Sequence, residues 1–390
     1  MEWKEYTLEE VCQKITDGSH FSPTGQGEGY PMFSVKDMLE YGFDYTNCKR
    51  ISRADFDNMV QNDCVPQKDD VLVAKDGSFL KSIFLCKETK EEAILSSIAI
   101  FRPNPKKIFP AFLCYLLKSP EVYNYIALNC VSGSALPRIV LKDFKKVSLT
   151  IPASLDDQKR IAAILSSLDA KIENNTRINA NLEAQAKALY KSWFVDFEPF
   201  GGSIPEDWKE GVLTDVADIT MGQSPRGESY NAEGVGVLFY QGCSDFGVRF
   251  PSVRMFTTEP SRYATQNSVL MSVRAPVGFM NVAMEKCCIG RGLASIKSKY
   301  DYDSYILYLM QSLQKELEAF NGDGTVFGSI NKKSLESICI IVPSMDAIDL
   351  FNQKVKPLDA IIKSNALESQ HLAQLRDTLL PKLMKGEIVL

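Results

Sequence analysis

The stretch IPASLDDQKRIAAILSSLDAKIENNTRINANLEAQAKALYKSWFVDFEPF (151–200) decides the fold. Ser154, with Asp157 three residues later, reads as a helix N-cap and its partner, just after the strand-like VSLTIP. From there Ile161, Leu168, Asn175, Leu182 and Leu189 recur every seven residues, and Ile164, Leu165, Ile172 and Ile178 fill in the stripe. The register returns late in the sequence with Phe351, Leu358, Asn365, Leu372 and Leu379, helped by Val355, Ile362 and Leu375. A heptad held over four to five repeats predicts a coiled coil, and one Asn on each seam is a way to fix register at some loss of stability. The same stripe also suits an amphipathic helix packed on its own domain. Pro357 departs from the pattern: inside a helix it should kink the chain or put the true start near Leu358.

Working outward, the helical segment is one part of a diverged repeat. Trp3 and LEEV (8–11) match Trp208 and LTDV (213–216), and VLVA (71–74) matches VLMS (269–272). GSALPRIVLKDFKKVSLTIP (133–152) aligns without a gap to GTVFGSINKKSLESICIIVP (324–343), and LDAKI (168–172) to LDAII (358–362). The offset falls from 205 to 190 through the first part of each copy and then holds steady. Each copy is thus a variable domain followed by a length-constrained helix. Segments 158–189 and 348–379 share Leu168, Asp169, Ala170, Ile172, Asn175, Leu182 and Leu189 with their counterparts 190 residues on, mostly on the apolar seam. The first helix leaves one domain and ends at the other, so to pair with it the second must run back, antiparallel. From Gln158 to Phe194 such a helix would be roughly 55 Å long, at 1.5 Å per residue. Two similar heads at its ends, related by an approximate two-fold axis, could touch one face of a duplex about one helical turn apart.

The chain has 390 residues, 45% hydrophobic and 24% charged, enough for two or three domains with real cores. Mean hydropathy is −0.12, and no run approaches the roughly 18 apolar residues that span a bilayer. This excludes a membrane-spanning helical protein and a largely disordered one. The start, MEWKEYTLEE, is acidic and lacks an apolar core, so no secretory signal is read and the cytoplasm is the expected location. Ten cysteines include no CxxC pair and the histidines are two, His20 and His371, so no metal site is expected. The vicinal Cys287 and Cys288 read as small buried hydrophobes in a strand. The net charge of −5 speaks against a nucleic acid partner only as an average. Residues 101–150 carry eight basic and two acidic side chains and residues 251–300 seven and two, whereas 201–250 and 301–350 each carry three and eight. A phosphate backbone responds to such local potential.

Each domain runs through the same events. A Gly/Ser/Pro-rich loop (16–30, 221–231) follows the short helix. Strands then end in tight turns, DDVLVAKDGSF (69–79) and NSVLMSVRAPVGFM (267–280), which are expected to aim Lys75, Ser78 and Arg274 outward. The loop ahead of the last strand offers Ser134, Arg138 and Lys142 in one copy, and Thr325, Ser329, Asn331, Lys332 and Lys333 in the other. Such side chains suit phosphates and base edges. They equally suit a helix N-terminus capped by Ser or Asn, which itself binds phosphate. No catalytic residues are identified: there is no Ser-His or Cys-His couple, Walker loop, GxGxxG after a strand or HExxH.

Segments 151–200 and LRDTLLPKLMKGEI (375–388), with SGSALPRIVLKDF (132–144), SVRAPVG (272–278) and CIGRGLA (288–294), resemble the specificity (S) subunit, HsdS, of type I restriction-modification systems over nearly the whole chain. The resemblance implies an α+β fold: two similar α/β target recognition domains joined by two long antiparallel coiled-coil helices, a pseudo-two-fold internal repeat. The boundaries expected are 1–152 and 199–343 for the recognition domains, and 153–198 and 344–390 for the helices. It further implies a non-catalytic DNA-binding subunit, each domain reading one half of a bipartite, asymmetric site in double-stranded DNA, with the helices fixing the spacer and docking two methyltransferase subunits. Those partners use S-adenosylmethionine, and a motor and nuclease subunit uses ATP and Mg; no cofactor belongs to this chain. By analogy the DNA-facing residues are Lys75, Gly77, Ser78, Ser134, Leu136 and Arg138, then Arg274, Pro276, Thr325, Ser329 and Asn331. The alternative from the residues alone is a coiled-coil adaptor with two protein-binding heads and no DNA role.

Overall fold

A computed structural model describes residues 1–133, 137–322, 328–388 and 390. It divides into two units: Met1–Thr176 with Ala366–Leu390, and Arg177–Asn365. Both long helices, Leu155–Phe194 and Met345–Met384, contribute residues to each unit.

In the first unit, strand Trp3–Thr7 pairs antiparallel with the last strand, Ser148–Pro152, so the domain closes on itself before the long helix begins. Helix Leu8–Val11 follows, with Leu8 and Val11 buried. A four-stranded antiparallel sheet comes next, in the order Cys12–Asp17, Ile98–Pro103, Val71–Ala74, Ile83–Leu85. A smaller sheet contains one parallel pair, Tyr30–Phe33 with Ala93–Ile94. Val71–Ala74 is buried on both faces, which is why VLVA is a continuous apolar run.

The second unit repeats this plan. Lys209–Val212 pairs with Cys339–Val342, and the four-stranded sheet runs Ala217–Met221, Leu293–Ser298, Val269–Ser272, Met280–Val282. The small sheet again holds a parallel pair, Val237–Tyr240 with Cys287–Ile289. Cys287 and Cys288 are fully buried and free, as their strand position predicts. Glycine marks an equivalent close approach in both units. A Cβ on Gly18 would lie 2.2 Å from Ile94 O, and one on Gly222 2.2 Å from Gly290 O.

Each unit contains an antiparallel pair of long-helix segments. In the first, Asp169 meets Arg376 at 2.7 Å and the Asn175 amide donates to Glu368 at 2.8 Å. In the second, the Asn365 amide donates to Asn179 at 2.9 Å and Tyr190 packs on Phe351. As the numbering rises on one helix it falls on the other.

The seam differs from the heptad reading. Ile161, Asn175 and Phe351 are buried, but Leu168, Leu182, Leu189, Leu358, Leu372 and Leu379 are only half-buried, and Ile178 and Leu375 are exposed. Leu165, Ile172, Val355 and Ile362 are covered as the stripe predicts, and Asp169, Ala186 and Tyr190 hold further covered positions outside it. The buried residues advance by threes and fours close to the ~3.6 of a straight helix, so a strict seven-residue seam drifts off the contact line by about 20° per heptad. Asn175 and Asn365 both sit on the contacts: within its own unit Asn175 bonds to Glu368 and Asn365 to Asn179. Pro357 neither ends nor starts the helix, which runs unbroken from Met345 to Met384. Both Pro357 and Gln353, whose carbonyl loses its partner, lie on the exposed face, where water can take the bond.

Candidate nucleic-acid interface

The end of the central buried strand is where each unit brings its two predicted loops together. In the first unit Lys75 N donates to Ser97 O at 2.8 Å, which carries the strand one residue past the sheet. The loop ahead of the last strand docks on the other side: Gly77 N donates to Pro137 O and Ile139 N to Lys75 O, so Asp76 and Arg138 are bridge partners. The second unit makes the same bonds with different residues. Val273 N donates to Gly292 O, Ala275 N to Gly328 O and Ile330 N to Val273 O, which pairs Arg274 with Ser329. One backbone arrangement thus presents two sets of side chains.

Ser78, Arg138 and Lys142 are exposed in the first unit, and Arg274, Pro276, Ser329, Asn331 and Lys332 in the second. Gly77 is half-buried with a φ of 65°, the left-handed conformation its tight turn requires. Ser134, Leu136 and Thr325 lie outside the described residues. One expectation needs correction. Lys75 does not face outward: its ammonium lies 2.6 Å from Asp17 Oδ2, with the two side chains 10% and 14% exposed. The strand register turns it inward onto the end of Cys12–Asp17. Asn331 Oδ1 accepts the Ser334 amide and so caps helix Lys332–Glu336, while Lys332 is 3.4 Å from Glu336 one turn on.

Three features escaped the sequence reading. Arg291, exposed, stands at the tip of a turn closed by Leu293 N donating to Gly290 O, one residue before the Gly292 carbonyl that binds Val273. Gly18 and Gly222, each just after the first strand of its four-stranded sheet, set the approach of the neighbouring loop. The third is a pair of carboxylate clamps. Asp169, 7% exposed, accepts hydrogen bonds from Tyr115 at 2.7 Å, Tyr41 at 3.0 Å and Arg376 at 2.7 Å. Its repeat counterpart Asp359 accepts from Tyr308 at 2.7 Å and Arg249 at 2.5 Å. Each ties the helix behind its four-stranded sheet, Pro110–Lys118 or Asp303–Ser312, to a long helix. Burial first, then the Asp169 charge, holds the Tyr115 hydroxyl well above its usual range. For Arg376 burial acts downward, but the hydrogen bonds to Asp169 and Asp377 outweigh it and raise the guanidinium further. The clue was available, since Asp169 and Asp359 are an identity between the copies.

Residues 1–184 and 205–377 match the model of the type I restriction modification DNA specificity domain. The chain belongs to this family. A putative type I restriction enzyme MjaX specificity subunit of Methanocaldococcus jannaschii is 31% identical, over 99% of this chain and 94% of its own length. The type I restriction enzyme HindI specificity subunit of Haemophilus influenzae is 24% identical, over 99% of this chain and all of its own. The crystal structure of a type I restriction-modification S subunit from M. genitalium shares the fold, with a TM-score of 0.63 at 19% identity over 98% of this chain and 96% of that one. The two matched segments of the DNA specificity family are the two copies of the repeat, each with its loop pair.

Proposed function

We propose that this chain is the sequence-reading subunit of a type I restriction-modification complex, each unit recognising one half of a bipartite, asymmetric site in double-stranded DNA. The observation that carries the reading is the duplicated loop pair. The same three backbone hydrogen bonds recur in both units, while the side chains at the bridged positions differ: half-buried Asp76 and exposed Arg138 in one, exposed Arg274 and Ser329 in the other. A scaffold held constant under varied polar tips suits two dissimilar target sequences. Membership of a DNA specificity family favours this over a protein-binding adaptor.

In this reading the chain performs no chemistry. Two methyltransferase subunits dock on the long helices and use S-adenosylmethionine; a motor and nuclease subunit joining them uses ATP and Mg. Among the described residues no His, Cys, Asp or Glu group is arranged to hold a metal, and no helix is long and apolar enough to cross a membrane. The complex would work in the cytoplasm, where its DNA is.

The test is domain exchange. With its modification subunits co-expressed, the chain should direct methylation of a two-part motif, read by methylome sequencing. Replacing residues 1–152 with those of a relative should change one half of that motif and leave the other half and the spacer intact. Simultaneous change of both halves would sink the assignment of one half-site to each unit.

A further inference from the structure

We infer that the backbone position held by Asp76 in one unit and Arg274 in the other is a base-reading position: Arg274 takes the O6/N7 edge of a guanine, and Asp76 accepts from an exocyclic amine of cytosine or adenine. The inference rests on the specificity-subunit reading and deepens it.

The two residues are structurally equivalent. Each comes two residues after the buried central strand and follows a residue bonded to the neighbouring turn, Lys75 N to Ser97 O and Val273 N to Gly292 O. Each is also the bridge partner of the loop ahead of the last strand, through Arg138 or Ser329. At this shared place the charge is reversed. DNA phosphates are the same in every sequence, so a phosphate-binding position would keep a cation, or at least avoid a carboxylate, in both copies. A base edge imposes the opposite demand: guanine offers two acceptors to an arginine fork, whereas cytosine N4 and adenine N6 offer donors that a carboxylate accepts.

Arg274 is poised for this. Arg274 is exposed, and its guanidinium has no ion pair or hydrogen bond among the described residues. Arg291, on the far side of the same rung, is likewise exposed and unpaired there. Two exposed cations thus lie on either side of one hydrogen bond, an arrangement that suits an electron-rich groove edge. Gly290 and Gly292 hold the turn against Gln241, since a Cβ on either would come within 3.0 Å of that residue's backbone. In the other unit Asp76 Oδ1 is buried without a hydrogen bond among the described residues, 4.0 Å from Lys75 Nζ.

The experiment is methylome sequencing of cells carrying the full chain with its modification subunits. Arg274→Ala should relax one guanine in one half-site, with discrimination there falling about tenfold to a hundredfold. Arg274→Gln should move the preference at that position toward adenine, which an amide reads with two bonds. Asp76→Asn should alter one position in the other half-site only. If Arg274→Ala and Arg274→Gln instead lower methylation evenly over an unchanged motif, Arg274 is a phosphate contact and the inference fails. A wild-type chain directing no two-part motif would overturn the specificity-subunit reading itself.

Discussion

The Lys75 ammonium and the Asp17 carboxylate neutralise one another at the inner end of the loop pair. Arg138, two rungs away through the Asp76 bridge, faces solvent. The two cations should therefore fail in different ways. Lys75→Met leaves the largely dry Asp17 with only the exposed His20, 3.3 Å away, and should lower stability by about 3 kcal/mol, seen as a lower urea midpoint of the full chain. Arg138→Ala removes an exposed side chain and should change stability by less than ~0.5 kcal/mol. In the assembled complex it should weaken DNA binding and reduce the slope of log affinity against log salt by about 1. An unchanged slope would take that loop out of the interface. Arg138 lies in the basic segment 101–150 and Lys75 in a net acidic stretch, but neither neighbourhood names the partner of Lys75. Asp17 lies 58 positions upstream of Lys75, so the partner becomes visible only when the sheet aligns the strands.

The long helices and the domain helices meet at buried carboxylates, and these contacts govern how each head is fastened. Removing the Arg376 guanidinium, as in Arg376→Met, leaves Asp169 buried with only two tyrosine donors and should lower stability by about 3 kcal/mol, read from denaturant unfolding. Tyr115→Phe removes one charge-assisted hydrogen bond and should lower it by about 1.5–3 kcal/mol. The clamps also set a pH limit. Burial, above all, raises the Tyr115 and Tyr308 hydroxyls over their unfolded value. The unfolded chain therefore releases protons first as pH climbs past about 10. Stability from these groups is full below that pH and is lost as pH rises towards the folded values. Tyr115→Phe should accordingly show a shallower alkaline decline than the wild type, measured as melting temperature between neutral pH and pH 11. At this scale the sequence was legible where period and burial coincide: VLVA, VLMS, LEEV, LTDV and both long helices all form. It misled where a polar residue is the buried one. Asn175 is buried on the seam as its register predicts, but Asp169 took a covered position that apolarity alone would assign to Leu168 beside it. The difference between steps of 3.5 and 3.6 is also too small to see over five seam positions of residue types.

At the scale of the whole molecule the repeat was legible because ordered matches, with a shrinking and then constant offset, require no knowledge of contacts. The candidate site was less so, since its loops are brought together by backbone hydrogen bonds between segments some 60 positions apart. The constant offset in the helical parts has a physical reading: insertions are tolerated in loops, but in paired helices they shift every contact beyond them. Asn175 faces Glu368 and Ser369 across the pair, so these positions mark matched points on the two helices. One extra residue after Asn175 alone would rotate the helix beyond it by about 100° and break the pairing. Seven extra residues after Asn175, matched by seven after Glu368, restore the register because seven residues make close to two turns. They lengthen the pair by about 10.5 Å, which equals roughly three base steps at 3.4 Å each. The doubly lengthened chain should therefore direct methylation of a motif with both half-sites unchanged and a spacer about three base pairs longer, whereas the singly lengthened chain should lose activity. If the double insertion left the spacer as it was, or altered bases within a half-site, the helices would not be setting the distance.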